Sequence, residues 1–189
     1  MEQYSFAICP PPYIVGEVRD MKQKLKSALG TRFGSVNSEA HITFNVFRCE
    51  DAELESRIKV VQEFCTLAFA KEIRFDAFGH YSNGAFFLSP DSESYTYIKY
   101  MMILFHKLHS DFNSKMSDDP HMSIGRQLTT SQLEIAYEAF ATERPSLSFS
   151  FDRLGLRRFN RSRMQYDVVE SFPFLGFEMF IPTQGNLGF

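Results

Sequence analysis

Residues 41–47 read HITFNVF, and the reading of this stretch decides the fold. Thr43, Phe44, Val46 and Phe47 crowd β-branched and aromatic side chains together, which predicts a buried strand. Eighty residues later, positions 121–125 read HMSIG. Both stretches begin His, apolar, hydroxyl, apolar. On a strand, side chains i and i+2 share a face, with a rise of about 3.3 Å per residue. His41 and Thr43 therefore point one way, and Ile42 and Phe44 the other. His121 and Ser123 stand in the same relation to Met122 and Ile124.

Outward from these strands, the two halves of the chain repeat one order of elements. YSFAIC at 4–9 is a short apolar strand stopped by prolines. Ile14, Val18, Met21, Leu25 and Leu29 form a helical stripe that Gly30 ends. After HITFNVF, Asp51 is placed as a helix N-cap ahead of Leu54, Ile58, Val61, Cys65 and Ala68. Residues 72–78 alternate as a half-buried strand, and SNG at 82–84 turns it into AFFL at 85–88. In the second half, SPDS at 89–92 opens a helix carrying Tyr97, Met101, Phe105, Leu108 and Phe112. HMSIG follows, and Thr129 with Gln132 fits a capping box ahead of Leu133, Ala136, Tyr137 and Phe140. Leu147, Phe149 and Phe151 alternate as a strand, and RMQYDVV at 163–169 is expected to pair with it.

Each half thus runs helix, histidine strand, helix, strand, strand. The expected fold is α+β and internally duplicated: two antiparallel sheets forming a central cleft, with helices packed outside. A single domain over 1–189 is expected, with lobes of about 1–90 and 91–170 and an apolar tail at 171–189.

Composition narrows the function classes. Hydrophobic residues are 44% and charged residues 23%, with 21 Phe and no Trp, so an aromatic core needs no disulfide or metal to hold it. A net charge of −3 disfavours a protein that coats nucleic acid, while leaving room for a local basic patch. Cys9, Cys49 and Cys65 are scattered and fit a reducing cytosol; no zinc pattern appears. The N-terminal stretch has no signal-peptide pattern, and no apolar run approaches the roughly 20 residues of a membrane helix.

Two imidazoles in one cleft suit displacement at a phosphodiester. One takes a proton from the attacking oxygen, and the other gives one to the leaving oxygen. Their unperturbed pKa of about 6.5 suits both tasks. Hydroxyls beside them can hold the non-bridging oxygens. This chemistry uses no metal and no cofactor.

Other polar residues have ordinary structural readings. RLGLRRFNRSR at 153–163 offers arginines to phosphate, but a solvated hairpin is the plainer reading. His106 and His109, three apart on a helix, are expected at the surface or its boundary rather than on a metal. His80 reads as a turn histidine, and Met101 and Met102 as core.

The paired His-φ-[Ser/Thr]-φ motifs, in a duplicated α+β chain of 21.9 kDa, resemble the 2H phosphoesterase superfamily. The likeness is to its 2′-5′ RNA ligase-like and RNA 2′,3′-cyclic phosphodiesterase members, and it spans roughly residues 3–170. It implies catalytic roles for His41 and His121 and phosphate binding by Thr43 and Ser123. Arg126 resembles the arginine that often follows the second motif, although simple alternation places it opposite His121. Ser123 stands where Thr is commoner in the family.

The resemblance implies a metal-independent phosphoesterase acting on a 2′,3′-cyclic phosphate, or on 2′-5′ linked RNA ends or nucleotides, in the cytoplasm and without a membrane. The alternatives are a non-catalytic nucleotide or RNA-end binding module of the same fold, and a protein-interaction role for the tail.

Overall fold

The computed structural model describes residues 1–176. In chain order these form β1 (Glu2–Ile8), α1 (Pro12–Leu29), β2 (Ile42–Cys49), α2 (Asp51–Leu67), β3 (Lys71–His80), β4 (Phe86–Pro90) and α3 (Ser92–Leu108). There follow β5 (Lys115–Met116), β6 (Met122–Gly125), α4 (Thr130–Ala139), β7 (Leu147–Phe151), β8 (Arg153–Asn160) and β9 (Gln165–Pro173).

Local chemistry sets the helix ends. Pro12 opens α1, where a missing N–H costs nothing. Gly30 closes it in the left-handed region at φ 63°, donating its N–H to the Ser27 carbonyl. The Asp91 side chain accepts from the Ser94 N–H at 2.8 Å and caps α3. Thr129 and Gln132 form the expected capping box of α4. Asp51 is not the cap of α2: Glu50 holds that position without a side-chain bond, and Asp51 is the first helical residue. Its carboxylate there complements the helix dipole.

The strands form two antiparallel sheets, ordered β5-β2-β1-β8-β9 and β6-β4-β3-β7. The two orders correspond strand for strand: β2 with β6, β1 with β4, β8 with β3, β9 with β7. The expected pairing of 163–169 with 147–151 is therefore corrected. β9 pairs with β8, and β7 pairs with β3 in the other sheet. Alternation along β7 is clear, but alternation does not name a partner. The sheets also do not divide at residue 90. β3 and β4 lie beside β6 and β7, while β8 and β9 return to β1.

Each sheet buries one face under two helices. On the first sheet, Phe44 meets Phe64 of α2 and Phe105 of α3 edge to face, at centroid distances of 6.5 and 5.3 Å. On the second, Phe86 packs on Phe140 at the end of α4, and Gly125 lies under Leu25 of α1. Such ring pairs contribute about 0.5–1.5 kcal/mol each beyond their buried area. The opposite faces of the sheets are left to form a cleft.

The apolar tail begins later than expected. Ser171–Pro173 belong to β9, and Phe172 is buried. Phe174 packs on Phe64 and Phe151. The rest of the expected tail, 177–189, lies outside the described residues.

Candidate active site

The two histidine strands carry the same irregularity at the same motif position. In β2, Asn45 pairs with Phe6 and Thr43 with Ala7, so Phe44 is an extra residue, a β-bulge. In β6, Gly125 pairs with Phe86 and Ser123 with Phe87, so Ile124 is the extra residue. A bulge shifts the in–out alternation by one. Phe44 and Asn45 are both fully buried. Ile124 is fully buried too, and a Cβ on Gly125 would come within 3.0 Å of Leu25 and Leu128 in the core. The next residue then returns to the cleft, as Val46 in one strand and Arg126 in the other. Simple alternation sets Arg126 on the far face; the bulge is what reverses that. Its backbone is held by a bridge to Gly34, whose carbonyl accepts the Arg126 N–H at 3.0 Å.

The cleft has a volume of about 710 Å³, and His41, Thr43, His121, Ser123 and Arg126 all line it. Strands that are eighty residues apart thus bring the five candidate residues into one space. Among the described residues, neither the Thr43 nor the Ser123 hydroxyl has a hydrogen-bond partner, and Arg126 makes no ion pair.

The imidazoles are held alike. His41 Nδ1 lies 2.7 Å from the Glu39 carbonyl, and His121 Nδ1 lies 2.9 Å from the Asp119 carbonyl, each two residues earlier. A carbonyl only accepts, so Nδ1 carries the proton and Nε2 is the nitrogen left to act.

Their surroundings differ. Burial, then the Arg157 guanidinium, holds His41 well below the ordinary imidazole value; Lys22 and Arg126 act in the same direction. Burial also lowers His121, but the Asp119 carbonyl bond and carboxylate pull the other way. The Tyr81 hydroxyl donates to the Asp119 carboxylate and lies 3.3 Å from His121 Nδ1. Tyr81 also stands edge-on to the His121 ring at 5.2 Å.

Sequence reasoning missed Tyr81, Asp119, Lys22 and the individual role of Arg157. Lys22 had a signal. Ile14, Val18, Lys22 and Leu25 are the buried stripe of α1, so a lysine occupies a core position there, and Met21 is only half-buried. Lys22 donates to the Ser35 and Ser38 carbonyls at 3.1 and 2.6 Å, and burial pulls its pKa down to about 8. Arg157, read as part of a solvated hairpin, is 5% exposed.

The remaining histidines lie elsewhere. His80 Nδ1 meets the Tyr137 hydroxyl at 2.8 Å on the α4 side. His106 donates from Nε2 to the Phe44 carbonyl at 3.0 Å. His109 is not at the surface: it is fully buried and stacked on Phe105 at 4.0 Å.

Among the described residues, no helix is long and apolar enough to cross a membrane. No curated protein matches the sequence. Among solved structures, TT0787 of Thermus thermophilus is similar at 14% identity and a TM-score of 0.65, over 92% of this chain and 98% of that one. Escherichia coli LigT complexed with 3′-AMP is similar at 13% identity and 0.63, over 92% and 98%. LigT complexed with NADP+ is similar at 17% identity and 0.63, over the same shares. These likenesses establish the fold. A profile of the 2′-5′ RNA ligase superfamily matches residues 10–163, which takes in both histidine strands, the bulges and the cleft between the sheets, and so the chain belongs to that superfamily.

Proposed function

We propose that this protein is a phosphoesterase that opens 2′,3′-cyclic phosphates, or cleaves related 2′-5′ linkages, at RNA ends or on nucleotides. One observation carries the reading. Two imidazoles, each tied at Nδ1 and open at Nε2, share a cleft with two unengaged hydroxyls and an unpaired arginine. Nucleotide ligands in LigT structures, among them 3′-AMP, NADP+ and ATP, support a nucleotide-sized occupant.

In this reading His41 is the base. Burial and then its cationic surroundings keep it neutral, with a lone pair on Nε2. It takes a proton from water as the water oxygen bonds to phosphorus. His121 is the acid. It protonates the ribose oxygen as the P–O bond breaks, and the Asp119 carboxylate favours its imidazolium. Thr43 and Ser123 donate to the non-bridging oxygens, and Arg126 balances their charge. No step calls on a metal or a cofactor. The free thiols Cys9, Cys49 and Cys65 fit a cytoplasmic setting.

The test is incubation with nucleoside 2′,3′-cyclic monophosphates and with RNA ending in a cyclic phosphate, with and without EDTA. EDTA-resistant product that disappears in both His41→Ala and His121→Ala is the expected result. Full activity in either variant would sink the mechanism. Saturable binding without product from any substrate would select the second reading, a nucleotide-binding module of the same fold.

A further inference from the structure

Adjoining the main cleft at His41 lies a second cavity of about 110 Å³. At about 30 Å³ per water it holds three or four waters, the scale of one oxyanion rather than a nucleoside. His41 and Ser38 line both spaces.

Arg157 forms part of the cavity wall and is 5% exposed. It reaches there because β8 pairs with β1, setting Arg157 opposite Ser5. Its five N–H donors make one hydrogen bond, from Nη2 to Ser5 Oγ at 3.1 Å. Its Nε is buried with no partner. The guanidinium lies over the Tyr166 ring at 5.0 Å, and it makes no ion pair among the described residues.

A buried cation without a bonded counter-charge is costly, and a buried donor without an acceptor adds to that cost. The other buried arginine is built differently. Arg57 is paired with Glu53 and bonded to Ser114 and Asn113, so its donors are largely used. Lys22, close by in the wall of the main cleft, is a second buried cation held only by carbonyls. Glu39 is the one carboxylate in the cavity lining among the described residues. It is exposed and makes no ion pair, and its charge reaches Arg157 only from a distance.

We infer that this cavity is a subsite for a second phosphoryl group of the substrate, received by the Arg157 guanidinium while the reacting phosphate sits between His41 and His121. The substrate class is then one with two phosphates: a nucleotide carrying a further terminal phosphate, or an oligonucleotide whose neighbouring internucleotide phosphate takes that place. The inference rests on reading the main cleft as a phosphate site.

The two sources separate by binding. Calorimetry compares adenosine 3′-monophosphate with adenosine 3′,5′-bisphosphate and with the dinucleotide ApA bearing a 3′-phosphate. A charge-assisted contact predicts that at least one of the last two binds about tenfold or more tighter than the monophosphate. Whichever does so names the source. In Arg157→Gln the advantage, taken as a ratio to the same variant's own monophosphate affinity because Arg157 also acts on His41, falls to within about twofold. Arg157→Lys keeps the charge and loses the fork, so it retains part of the advantage; it decides the matter if the glutamine variant does not fold. Equal binding of all three ligands by the wild type overturns the subsite. So does an advantage that survives undiminished in Arg157→Gln, or in Arg157→Lys where that is the variant that folds, which would leave Arg157 only a neighbour of His41. Turnover of plain cyclic nucleotides tests the phosphoesterase reading separately, because that substrate has no second phosphate.

Discussion

The strand that begins after His41 and the strand that begins after His121 share a backbone plan and differ in charge. Both bulge at the fourth motif residue, and both anchor Nδ1 on a carbonyl two residues back. Around His41 stand Arg157 and Lys22; around His121 stand Asp119 and Tyr81. The lesson is that hydrogen bonds set the geometry of the two imidazoles alike, while neighbours from other strands and helices set their chemistry apart.

The largest effect should come from removing either side of the pair. His41→Ala and His121→Ala should each lower kcat by about 10²–10⁴-fold with the fold retained, measured as cyclic-nucleotide turnover beside a thermal melt. If only one variant loses activity, the two strands are not partners in one reaction.

Next come the hydroxyls. Thr43→Val and Ser123→Ala should each cost about 10–100-fold in kcat/KM, at or below the effect of losing one oxyanion donor. Similar losses would show that both strands hold the same phosphate. A loss confined to one would place the phosphate against that strand alone.

The charge difference shows in pH. Both histidines are lowered from 6.5, so in the proposed reaction the base would deprotonate early and the acid would give up its proton early too. The kcat/KM profile of the wild type should therefore peak below pH 6.5, midway between the two apparent values. Asp119→Asn removes a charge that raises His121, so the alkaline limb should move to lower pH. An alkaline limb that stays in place would assign the acid role to His41.

The smallest effect belongs to Tyr81→Phe. It deletes the hydroxyl that bonds Asp119 but keeps the ring against His121. A loss below about tenfold is expected, read as a change in kcat with KM nearly constant. A larger change in KM would instead place Tyr81 against the nucleoside.

Much of this was legible in the sequence. His41, Thr43, His121 and Ser123 announce themselves by a two-residue period. The stripe of α1 and the Thr129–Gln132 box announce helices, since caps and periodicity are local. The strand exchange was not legible, because β7 reads identically whether it meets β9 or β3. The bulges were not legible either. Phe44 and Ile124 look like ordinary inward residues, yet they turn Val46 and Arg126 back into the cleft. Arg157 hid among surface arginines because its burial depends on Ser5, 152 positions away.

The exchange of strands between the halves carries one more consequence. The first sheet takes β8 and β9 from the second half, and the second sheet takes β3 and β4 from the first. Each sheet is complete only with both halves present, so a split near residue 90 should yield fragments that are stable only when recombined. A half-length ancestor would reach this architecture only as a pair of copies trading their last strands, with a twofold axis through the cleft and identical histidines facing across it. Fusion of the two copies would free each side to diverge, and unlike charges such as those around His41 and His121 are what that freedom would permit.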